Sequence, residues 1–447
     1  MSDLSPSPAG DNIYLRGALL PLFAKTALPI VLIMLVNGLF TVVDAYFLGT
    51  FVGADALVAV TLMFPFYMLI VALSTLVSSG FSSVYARHIG AENPHDAAAA
   101  FTSALGLAAV TCLVLMAGDW LIGPALSRLL AGGPGTLADL GHSYIRVVVL
   151  FSPLTFLLAL NVDVLRARGR LSAMTGVMLL SALLNIVFDW LMVVRLGYGV
   201  VGSAYGTAMA QGVALLVVFA LRQRADQPLR LRVSLTGWPA ILSLGAPNSL
   251  GYVGLSLSAG LTLTMLQVWA ADTYAATSGA FGILTRLMTF TFLPLLGLSM
   301  ALQTITGNSF GSGDVARSRS ALKTAAVIAL IYCAAVQAGF LLLAPHLGGL
   351  FVADGTIQTE LARILPLNTL TMVLFGPLMM IATYYQAIGD AQRAGLLGLS
   401  RTYAFGLPLI ALLPLMIGEW GIWLAGPLAE LLVLGLTLIV ARPLLKG

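Results

Sequence analysis

Two long apolar runs each carry a single carboxylate. In NGLFTVVDAYFLG it is Asp44; in LLNIVFDWLMVV it is Asp189, with Asn185 four residues earlier and therefore on the same helical face. An ionisable group at the centre of a bilayer costs about 2.5–3.5 kcal/mol on insertion scales, so such residues read first as functional. Thr207, about nine residues into the next apolar run, reaches the depth of Asp189. Carboxylates beside amide and hydroxyl oxygens suit either a proton or a bare Na+ bound through oxygen ligands, and these four residues fit both ions. Two plainer roles compete: Asp44 snorkelling to the surface, or Asn185 and Asp189 bonding only to tie helices together. Pro29, fifteen residues before Asp44, interrupts a helical hydrogen-bond ladder and marks either a hinge or a static kink.

The remaining ionisable residues in apolar runs carry weaker signals. Glu430 and Arg286 are each mid-run, so that they pair or line a cleft. Asp163, three residues before Arg166, reads as a solvated or capped end charge, and Asp119 and Arg146 as groups that snorkel near the outer face. His88, His95, His142 and His346 fall in or beside loops and share no ligand spacing. Cys112 and Cys333 lie inside apolar runs, which argues against a disulfide or a Cys/His metal cluster. With no P-loop, nucleophile elbow or HExxH, nothing points to an enzyme or to ATP-driven work by this chain, and no cofactor is expected beyond a coupling ion.

The elements that must position these residues are membrane helices. Of the 447 residues, 59% are hydrophobic and 9% charged, with a mean hydropathy of +0.98, far from the roughly 25% charge of soluble domains. Twelve stretches are long enough to cross a hydrocarbon core of about 30 Å: 22–47, 56–85, 97–123, 143–164, 171–194, 198–221, 238–268, 273–303, 320–345, 357–385, 391–417 and 419–441. An inside N-terminus puts sixteen of the 22 Lys and Arg on the inner side, three outside and three within spans. The basic excess therefore orients the chain in a cytoplasmic membrane, with both termini cytoplasmic, and is too dispersed for nucleic acid. The expected partners are small amphiphilic substrates and membrane lipid, with no obligate protein partner.

An offset of about 220 residues repeats the punctuation of the chain. Pro29 recurs as Pro247, Leu165-Arg166-Ala167-Arg168-Gly169 as Tyr385-Gln386-Ala387-Ile388-Gly389, and the opening of the sixth span, at Gly199, as that of the twelfth, at Gly421. Six spans per copy is an even number, so the copies share orientation and are related by an axis along the membrane normal. The expected organisation is a tail over 1–21, a six-helix lobe over 22–222, a basic linker over 223–237, a second lobe over 238–442 and a tail over 443–447. Two such lobes are the plan of a transporter.

The residues that carry this pattern resemble the multidrug and toxic compound extrusion (MATE) transporters: LPIVLIMLVNGLFTVVDAYFLGTFVGADALVAV, VYARHIGAENPHDA, VLRARGRLSAM, LLNIVFDWLMVVRLGYGVVGSAYGTAMAQ, ITGNSFGSGDVARSR and YQAIGDAQRAG, in that order. The resemblance implies an all-α fold of twelve transmembrane helices in two pseudo-symmetric six-helix bundles. It also implies alternating access, exporting amphiphilic, often cationic compounds in exchange for H+ or Na+. Within the family the chain looks like the DinF-like branch, whose N-terminal lobe holds the coupling site. That branch's residues match Asp44, Asn185, Asp189 and Thr207, with the bending proline at Pro29 and a fourth-helix Asn at Asn161. The acids that the NorM-like branch expects in the seventh and tenth helices are replaced by Asn248 and Asn368. Where the DinF-like branch shows a Gln and a Tyr before its first acid, this chain has Asn37 and Phe40. Asn37, Asn161, Gln211, Arg286 and Glu430 are the candidates for touching substrate. An alternative within transport is flipping of a lipid or lipid-linked substrate.

Overall fold

A computed structural model describes residues 12–223 and 236–442. Its helices run α1 (Leu19–Phe47), α2 (Ala54–Leu62), α3 (Phe64–Gly90), α4 (Pro94–Leu130), α5 (Thr136–Leu150), α6 (Ser152–Ala167), α7 (Leu171–Asp189) and α8 (Gly199–Gln223). After the undescribed 224–235 come α9 (Trp238–Trp269), α10 (Tyr274–Gly311), α11 (Val315–Leu347), α12 (Gly355–Asn368), α13 (Met372–Ile388), α14 (Ala391–Leu399), α15 (Leu407–Leu412), α16 (Pro414–Ile417) and α17 (Trp420–Val440). Strands are absent among the described residues, as lipid demands of any chain that does not close a barrel.

Ten helical segments are long and apolar enough to cross a membrane, and two bent pairs, α5 with α6 at 45° and α12 with α13 at 51°, bring the described spans to twelve. Each bent pair fills one expected span. Pro153 stands in the first turn of α6 and has no N–H to give, so the ladder of α5 ends before it. Residues such as Leu113, Leu121, Leu330 and Leu342 are exposed on these helices, a liability in water and the natural state of a surface facing lipid.

By its contacts the chain divides into two compact units: residues up to Gly17 with Leu32–Gly245, and Ala18–Val31 with Ala246 onward. The first has a core that includes Phe81, Tyr85, Phe101 and Leu160; the second is built around Leu266, Ile283, Leu361 and Trp423. In the first unit a Cβ on Gly80 would lie 1.9 Å from the Ile241 carbonyl oxygen, and one on Gly245 equally 1.9 Å from that of Leu76. Glycine at both positions lets α3 and the start of α9 meet backbone to backbone. Helix α1 runs unbroken over Pro29 and changes unit two residues later, while α9 changes unit just before Pro247. The repeated proline thus marks the same topological point in both copies.

Among the described residues three π-helical stretches interrupt the spans: Leu48–Val52, Trp190–Arg195 and Ser400–Gly406. The first opens four residues after Asp44, the second immediately after Asp189, and the third contains Arg401. Wide turns of this kind free backbone groups and cluster at functional positions.

Candidate functional site

Helices α1, α7 and α8 bring the sequence-predicted cluster together within the first unit. Asp44, near the end of α1, accepts a 2.6 Å hydrogen bond from the hydroxyl of Ser203, which is itself buried on α8. One turn along α8, Thr207 accepts from the Asn185 amide at 3.0 Å, and that same amide reaches Asp189 Oδ1 at 3.4 Å. Asp189 is 2% exposed. A Cβ on Gly206 would fall 2.1 Å from Asp189 Oδ1, so only glycine between Tyr205 and Thr207 leaves α8 close enough to α7 for these contacts.

The electrostatics of the cluster are one-sided. Asp44 and Asp189 lie within Coulombic range of each other, and no Lys or Arg pairs with either among the described residues. Tyr144, on α5, lies within range of both, and Tyr67, on α3, within range of Asp44. Two neighbouring carboxylates without a cation are relieved by uptake of one positive charge, and both H+ and Na+ meet that need. No group of three or more His, Cys, Asp or Glu forms a metal cluster among the described residues, so any Na+ here would rest on the amide and hydroxyl oxygens as well.

Other predicted residues lie elsewhere. Gln211, one turn beyond Thr207 on α8, accepts a 2.8 Å hydrogen bond from Thr155 and extends the polar face of that helix. Asn161 is fully buried; its oxygen accepts from Arg222 at 2.6 Å and its amide donates to the Leu157 carbonyl, so its polar atoms serve the opposite end of the unit. The side chain of Asn37 lies outside the described residues. Arg286 is exposed and makes no hydrogen bond or ion pair among the described residues. The alternative of pairing Glu430 with Arg286 is therefore not realised: Glu430 is buried and pairs with Arg401 at 2.8 Å, whose guanidinium also stacks 4.1 Å from the centre of the Phe375 ring.

Two end-of-span acids depart from expectation. Asp163 is buried and bonded to Arg166 at 2.6 Å, while Arg166 reaches Ser82 and its carbonyl accepts from the buried Tyr14 hydroxyl. The i, i+3 spacing makes that bond possible, and packing of α3 and the N-terminal turn over it excludes water. Asp119 does not snorkel but is 5% exposed beside His142, which lies within α5 rather than in a loop. Ser203 and Tyr144 escaped the sequence reading because a hydroxyl in an apolar run has no distinguishing spacing; the carboxylates near them lie on other helices.

Comparison with known proteins places this geometry in a family. The sequence pattern of the MatE family matches residues 29–191 and 252–412, one match in each copy of the repeat. The chain is 25% identical over 414 residues to an FAD transporter of Shewanella oneidensis, covering 90% of this chain and 89% of the relative. It is 24% identical over 413 residues to the multidrug export protein MepA of Staphylococcus aureus, covering 90% and 89%. A solved MATE structure in complex with MaL6 superposes with a TM-score of 0.85 at 24% identity, covering 97% of this chain and 99% of that one, and so shares the fold. A chain with twelve membrane spans, a duplicated six-helix unit and the family pattern in both halves belongs to the MatE family of membrane transporters.

Proposed function

We propose that this chain is a secondary active exporter of amphiphilic, often cationic compounds, driven by H+ or Na+ that binds at Asp44 and Asp189. The observation that carries the reading is the pair of carboxylates in one unit, held by Ser203 and Asn185 and lacking any basic partner among the described residues. Binding of the ion cancels charge near the end of α1, and the reading makes Pro29, which lies inside α1 just before that helix changes unit, the hinge about which it bends during the cycle. The likeness to the multidrug exporter MepA supports the substrate class. The distribution of Lys and Arg supports a cytoplasmic membrane with both termini inside. A second reading, export of a nucleotide-like anion, is favoured by the likeness to the FAD transporter.

The test is uptake of a fluorescent cationic dye into proteoliposomes of known orientation, under an imposed pH gradient or an imposed Na+ gradient, for wild type and Asp44→Asn. Uptake driven by one gradient and lost in the variant is the expected result. Uptake unchanged in Asp44→Asn overturns the coupling role. No uptake under either gradient, with FAD moved instead, selects the second reading.

A further inference from the structure

Asp119 and His142 take no part in the site above, and their geometry is incomplete. His142 Nδ1 stands 3.9 Å from Asp119 Oδ1, too far for a hydrogen bond, and both atoms are buried without any other partner. The side chain of Asp119 is 7% exposed and that of His142 20%, so one member is shut in and the other meets the surface. Gly123 keeps the space between them: a Cβ there would lie 2.6 Å from Asp119 Oδ1 and 2.9 Å from the His142 ring. We propose that Asp119 and His142 form a second proton-binding site of this transporter, near the outward end of the first unit and separate from Asp44 and Asp189.

A neutral imidazole and a carboxylate gain little at 3.9 Å, whereas an imidazolium and a carboxylate close to about 2.7–2.9 Å. The arriving proton sits on the imidazole and is shared with Asp119 Oδ1, and its binding draws α5 toward α4 by about 1 Å. The other charged group facing Asp119 is Arg146, one turn beyond His142 on α5; the residues beside it from the other elements, namely Met63 between α2 and α3, Phe66 on α3 and Ser127 on α4, carry no titratable group. Ser127 is engaged with Met63, which leaves His142 as the partner open to change. Tyr144, two residues beyond His142, lies within Coulombic range of Asp44 and Asp189, so movement of α5 reaches the cluster. The outward placement of this pair rests on the orientation proposed above; the proton site itself does not depend on which ion drives transport.

The experiment is hydrogen–deuterium exchange of the full chain in lipid nanodiscs, following peptides within 136–150 between about pH 5.5 and 8 after correction for intrinsic exchange, the range in which imidazoles titrate. Protection of α5 should rise several-fold on acidification in wild type and become independent of pH in both His142→Gln and Asp119→Asn. A rise that persists in His142→Gln, or none in wild type, overturns the proposal. Both variants preserve side-chain size, and an unchanged exchange pattern in α9–α17 shows that they are folded. The readout needs no transport, so a chain that moves dye under neither gradient would lose the antiport reading and keep this one.

Discussion

The two units bury charge in opposite ways. In the first, Asp44 and Asp189 lie between α1, α7 and α8, held by hydroxyl and amide groups alone. In the second, Glu430 on α17 meets Arg401 on the neighbouring span, and the guanidinium is further held by the Phe375 ring and carbonyl. Each site joins the last two spans of its unit beside a π-helical stretch, so the duplicated scaffold offers the same place twice. What differs is the sum of the charges. A carboxylate facing a guanidinium is neutralised permanently and ties helices together, while two carboxylates without a cation are neutral only when something positive binds. On the function proposed above, one copy of the repeat changes its charge during the cycle and the other keeps it.

That contrast can be broken most severely by Asp189→Asn set against Glu430→Gln. The first should abolish gradient-driven transport while the protein remains folded in the membrane; the second should lower thermal stability and leave gradient dependence in place. Loss of coupling in Glu430→Gln would mean that the second unit also carries the ion. Next in size, Arg401→Met alone should destabilise by about 3–5 kcal/mol, because it strands a buried carboxylate, whereas adding Glu430→Met should recover most of that loss. A double-mutant cycle in chemical denaturation measures this, and equal stability of the single and double variants would show that the pair is not a tie. Gly206→Ala should cost about 1–3 kcal/mol of stability and impair transport, since its Cβ would sit 2.1 Å from Asp189 Oδ1. The smallest expected effect is that of Ser203→Ala, which removes one hydrogen bond to a charged group, about 1.5 kcal/mol or roughly tenfold in the apparent affinity for the coupling ion. Ion-dependence curves of transport would read that shift, and unchanged affinity would detach Ser203 from the site.

Much of this was open to inspection in the sequence. Spans follow from apolar length, so α1, α4 and α17 needed no neighbours to be recognised, and the i, i+4 spacing of Asn185 and Asp189 put both on one face before any helix was built. The partners across helices were not open in the same way. Nothing in the sequence says that Ser203 meets Asp44 across 159 residues, or that Glu430 takes Arg401 in preference to Arg286. Asp163 and Asp119 were misread for one shared reason: hydropathy places a residue along the membrane normal, but exposure at a given depth depends on which helix packs over it.

The sequence by itself determined the class, the number of spans and the duplication, because lipid requires every backbone polar group to be satisfied within a helix and so writes the fold into apolar length and punctuation. It also fixed which side chains carry charge into the hydrocarbon. Only the tertiary structure decided which of those charges are cancelled and which are not. That outcome depends on contacts of a few ångströms between helices far apart in the chain, and on glycines such as Gly206 and Gly123 whose only contribution is the room they leave.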